Sequence, residues 1–61
     1  MSMYVVAQVQ GDGFLLLTLD HGVVAFVSRV DAEDFADALD EPGEFVAIPY
    51  EDSMGPMVVA S

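Results

Sequence analysis

Residues 31–41, DAEDFADALDE, are where the hydrophobic period of this chain changes from two to three or four. Ala32, Phe35, Ala36 and Leu39 recur at i, i+3, i+4 and i+7, the spacing that lines one face of a helix. Asp31 is placed to cap this helix and Asp34 to act as a capping-box acid, while Pro42 and Gly43 end it at Glu41. A helical segment here makes the chain α+β, because everything around it reads as strand.

On the N-terminal side, MYVVAQVQ at 3–10, FLLLTL at 14–19 and VVAFVS at 23–28 are rich in β-branched and large apolar residues. GDG at 11–13 and DHG at 20–22 separate them as turns, and Gly22 is expected to supply a left-handed conformation. On the C-terminal side, EFVAIPY at 44–50 reads as a return strand with Pro49 on an edge. EDSMGP is a loop, and MVVA at 57–60 is a short fifth strand or an apolar tail. The expectation is a small antiparallel sheet in the order βββαβ(β): a three-stranded meander, one amphipathic helix, a return strand and an optional fifth.

Sixty-one residues suit one domain, 1–61, with 51–61 as loop and edge-strand tail. There is no Cys and one His, so neither a disulfide nor zinc can staple so small a core, leaving packing or self-association. The composition is 54% hydrophobic at a net charge of −10, which describes an acidic folding sequence and not a disordered tail. That charge repels nucleic acid and anionic lipid and attracts basic surfaces, so direct binding to DNA, RNA or membrane is not expected. The first ten residues lack the features of a signal peptide and no apolar run approaches a membrane span, so the chain reads as cytoplasmic. Lys and Asn are absent and Ile occurs once, a usage typical of GC-rich coding sequence.

Catalytic readings fail one by one. His21 has no second His or any Cys to join it around a metal, and turn chemistry explains Asp12 and Asp20 at opposite ends of the second strand. None of Ser2, Ser28, Ser53 or Ser61 stands in a G-x-S-x-G context with His21. From Asp31 the sixth position is Ala, not the Gly an EF-hand loop requires. Acids on an exposed helix lack the apolar pocket that acid–base work demands. No enzyme activity, cofactor or metal is therefore expected, and Arg29, the only base, is expected to pair within the chain.

Two surfaces stand out. Along the second strand, Phe14 and Leu16 point one way and Leu15, Leu17 and Leu19 the other, so both sides want burial. One helix covers one face, which predicts a homodimer through these five residues, with a tightly curled barrel as the alternative. The other surface is acidic: Glu33, Asp34, Asp37, Asp40 and Glu41 fall away from the apolar stripe, extended by Glu44, Glu51 and Asp52. Counting Asp31, six acids along about 16 Å of helix give one charge per roughly 2.7 Å, against one per 1.7 Å of duplex DNA. In composition the chain resembles the small acidic inhibitors encoded by phages, such as uracil-DNA glycosylase inhibitors and other DNA mimics. That resemblance implies an inhibitor presenting a negative face to a basic, nucleic-acid-binding protein. A high-salt proteome, or an adaptor role through a strand edge or the Met54 and Met57 tail, would account for the same composition.

Overall fold

The structure is a computed structural model that describes residues 2–60. The Val-rich N-terminal segment forms β1, Tyr4–Gln10, whose Val5, Val6 and Ala7 are fully buried. One edge of β1 takes β5, Phe45–Pro49, antiparallel from Tyr4↔Pro49 to Gln8↔Phe45. The other edge is shared. Its C-terminal half pairs with β2, Gly13–Leu16, while Tyr4 and Val5 pair with Phe26 and Ala25 of β4, Gly22–Phe26.

The second expected strand is therefore broken, and its last part, β3 (Thr18–Leu19), pairs with β4. At Leu17 the chain leaves β1 and takes β4 as its partner. The Leu17 N–H donates to the Val6 carbonyl at 2.9 Å, and its carbonyl accepts from Val24 N–H at 3.0 Å. The first and third strands of the meander thus touch directly, with the second strand pairing first with one and then with the other. The apolar tail is a sixth strand, β6 (Met57–Val59), which lies parallel to β4 from Val23↔Met57 to Ala25↔Val59. The fold is α+β, with one parallel pairing among four antiparallel ones.

The helix, α1, spans Arg29–Ala38 and begins two residues before Asp31, because Ser28 is the cap. Its Oγ accepts from Val30 N–H at 3.2 Å. Asp31 sits instead in the first turn, where a carboxylate suits the positive end of the helix dipole, and Asp34 lies mid-helix. The helix stops at Ala38, short of the expected Glu41, with Leu39 N–H donating to the Ala36 carbonyl at 3.3 Å. Its last turn holds no base, and continuing would have stacked Asp37, Asp40 and Glu41 on the negative end of the dipole. Ser28→Ala is expected to lose about 1 kcal/mol, read as a lower urea midpoint at unchanged slope.

α1 covers one face of the sheet: Ala32 and Ala36 pack on Val6, Val24 and Phe26, bordered by Leu17, Leu39, Phe45 and Ala47. Phe35 tilts against Phe26 with ring centroids 5.2 Å apart. The opposite face is closed by the chain itself. Met3, Leu16, Ile48, Tyr50 and Met54 lie over Val5, Val23 and Ala25. Met54 ends a 3-10 turn, Asp52–Met54, which the Tyr50 hydroxyl anchors by donating to the Gly55 carbonyl at 2.6 Å. No second subunit is needed to bury this face; Leu16 and Leu17 join the two cores, whereas Phe14, Leu15 and Leu19 stay 59%, 55% and 55% exposed.

Candidate functional site

All eleven acidic residues are exposed, and seven of them lie between 31 and 44. They do not form the single helical face expected from the sequence. Asp31, Glu33, Asp34 and Asp37 are on α1, but Asp40 and Glu41 belong to the loop that follows it. Arg29 forms its ion pair with Glu33, Nε to Oε1 at 2.9 Å, across one turn of helix and in solvent. Four acids and one base over a ten-residue helix of about 15 Å leave one net charge per roughly 5 Å, well below the density of duplex DNA.

The loop that carries Asp40 and Glu41 is tied back to the sheet, since Gln8 Nε2 donates to the Pro42 carbonyl at 3.1 Å. Glu44 follows, its carbonyl accepting from Val9 N–H at 2.8 Å as β5 begins. These three acids are therefore held close to the C-terminal end of α1. Glu51 and Asp52 are not: they lie beyond the far end of β5, on the turn whose Met54 packs against the face away from the helix.

Between α1 and β5 runs a groove of about 270 Å³ lined by Arg29, Glu33, Ala36, Asp37, Phe45, Val46 and Ala47. It brings two of the expected partner-binding acids, Glu33 and Asp37, beside a sheet edge. The sequence signal for it was the pairing of a helix with an edge strand bearing Pro49; its location depended on knowing where the helix starts. A second cleft, about 290 Å³, is lined by Thr18, Asp20, His21, Gly22, Val23, Met54 and Pro56. His21 sits there in a two-residue turn with Asp20, and no group of three potential metal ligands occurs among the described residues. Asp12 and Asp20 occupy the tips of two different hairpins. Among the described residues no helix is long and apolar enough to cross a membrane. Comparison of the chain with protein-family models, curated proteins and solved structures finds no match.

Proposed function

We propose that the chain is a small non-catalytic binding protein, acting in the cytoplasm as an inhibitor that presents a negative surface to a basic protein partner. The surface runs from Glu33, Asp34 and Asp37 through Asp40 and Glu41 to Glu44, and its natural target is a protein whose own ligand is a phosphate backbone. The observation that carries this reading is the clustering of exposed acids between 31 and 44, where among the described residues only Glu33 is paired with a base. Asp34→Lys, Asp37→Lys and Glu41→Lys together are expected to reduce retention of basic proteins about tenfold or more, with the fold unchanged by circular dichroism. Duplex DNA added as competitor should release the same proteins from the wild-type chain. Retention indifferent to both would end the proposal.

Acidity as an adaptation to high salt makes a different prediction. At about 10 mM salt, where the screening length is about 30 Å, such a chain would fail to fold until molar salt is added. The closed double core supports the contrary expectation, a cooperative melt already at low ionic strength.

Self-association is the second part of the reading, favoured by Phe14, Leu15 and Leu19 lying outside both cores. β2 carries no charge and among the described residues no strand pairs with its outer edge, so two copies can join antiparallel about a twofold axis. Sedimentation should give a dimer that Phe14→Ser converts to monomer; a wild-type monomer at about 100 μM, a concentration at which a dimer of micromolar Kd is nearly complete, would remove this part.

A further inference from the structure

We infer that the free edge of β5 is the docking site for a basic, extended segment of the partner, which adds as a further strand beneath α1. This rests on the acidic-surface reading and gives it a binding mode. The ladder between β5 and β1 shows which backbone groups are spent. The Glu44 carbonyl accepts from Val9 N–H of β1, and Tyr50 N–H donates to the carbonyl of Met3, the residue before β1, each at 2.8 Å. Alternation in an antiparallel pair then turns the N–H and C=O of Phe45 and Ala47, and the C=O of Pro49, away from β1. No other strand pairs with β5 among the described residues, so this row of donors and acceptors is open. Pro49 is the one residue of the row without a donor, as suits a strand edge that meets solvent or a guest.

The groove decides the guest. Phe45 and Ala47 stand opposite Gln8 and Val6, so their side chains share the α1 side of the sheet. A strand laid beside them would direct every second side chain towards Ala36, Glu33 and Asp37. Lys or Arg at those alternate positions pairs with Asp37 and competes with Arg29 for Glu33, whose existing ion pair is solvent-exposed and worth little. A second copy of the chain is disfavoured here, because it would bring its own net charge of −10 against an acidic groove. The β2 edge lacks this barrier, so charge assigns the two edges to different occupants.

The test uses an octapeptide alternating Lys and Thr, titrated into the ¹⁵N-labelled full chain at low salt. Shifts are expected at Ala36, Phe45 and Ala47, with amide exchange at Ala47 slowed about tenfold or more at saturation. Glu33→Gln with Asp37→Asn should weaken binding about tenfold, and Asp20→Asn, in the turn that lines the second cleft, should leave it unchanged. Ala47→Pro should remove the effect without touching bonds to β1; should that variant misfold, the exchange readout on the wild type still decides. Shifts spread over all the acids with Ala47 exchange unaltered would overturn strand addition while leaving the basic-partner reading intact. Slowed exchange produced equally by an octapeptide alternating Glu and Thr would overturn the basic occupant, and protection that rises with protein concentration alone would assign the edge to a second copy.

Discussion

Phe26→Ala is expected to leave this protein largely unfolded at physiological temperature. Phe26 closes β4, sits 9% exposed in the core beneath α1, pairs with Tyr4 across the sheet and meets Phe35 of the helix. It is the largest buried side chain of the core beneath the helix, where the helix itself contributes only Ala32 and Ala36 as buried residues. Removing a buried Phe costs about 3–5 kcal/mol, whereas a chain of this length commands a total stability of about 3–9 kcal/mol. A melting temperature lower by about 12 °C or more follows for a domain of this size. Phe14→Ala, at a ring that touches neither core, is the control and should move the melt by no more than a few degrees. A shift of that small size for Phe26→Ala would mean that the helix is held by other contacts.

The element types were legible because they follow from local period. Tyr4 to Gln10 is Val-rich and alternates towards its end, Ala32 to Leu39 repeats at helical spacing, and each gave the element it implied. The boundaries of α1 were missed at both ends for identifiable reasons. Ser28 outranked Asp31 as cap because helical geometry begins as soon as β4 ends at Phe26, and a hydroxyl was already in place. At the other end, Pro42 marked the latest point at which the helix could stop; repulsion among carboxylates stopped it at Ala38. The change of partner at Leu17 left no trace in FLLLTL, since a strand that changes partner keeps the same alternation of side chains. Only the pairing of Tyr4 and Val5 with β4 reveals it.

The same boundary shift decides how much of the candidate site could be read. Glu33, Asp34 and Asp37 were placed correctly on an exposed helix face, because the apolar stripe fixes its orientation whatever its ends. Asp40 and Glu41 depended on the helix running on, and in the loop they point wherever the Gln8 to Pro42 bond holds them. Glu51 and Asp52 are expected from the sequence to extend the same surface as Glu44, but a five-residue strand of about 17 Å separates them from it. The result narrows the proposed surface to the acids of α1 and of the segment that follows it and lowers its charge density, which shifts the emphasis of the proposal from imitation of a continuous phosphate backbone to recognition of a few basic side chains.

Gly22→Ala should be nearly as damaging as loss of Phe26, although it adds a single methyl group. The turn before it places its positive φ, 58°, at Asp20, so Gly22 is not required there for a left-handed conformation. It is required for closeness: a Cβ would lie 2.8 Å from the Pro56 carbonyl oxygen and 3.1 Å from carbonyl carbons of Pro56 and Met57. These are backbone atoms and cannot swing aside, so β6 must move. Its movement breaks the bond from Val23 N–H to the Pro56 carbonyl, 3.0 Å, and loosens the seat of Met54 over Val5, Val23 and Ala25. Overpacking and the lost pairing together come to about 2–4 kcal/mol. At the corresponding place in the other hairpin, Gly13 has only the Gln10 carbonyl oxygen nearby, at 3.9 Å, so Gly13→Ala should be mild. Hydrogen exchange separates local from global damage: in Gly22→Ala, Val23 and Ala60 amides should lose protection before those of Val9 and Tyr50, which bond across β1 and β5. Uniform loss would show that β6 closes the core as a single cooperative unit with the rest. In either case the C-terminal segment is part of the fold, so truncation after Tyr50 would remove Met54 and β6 together and test stability, not a tail-borne contact.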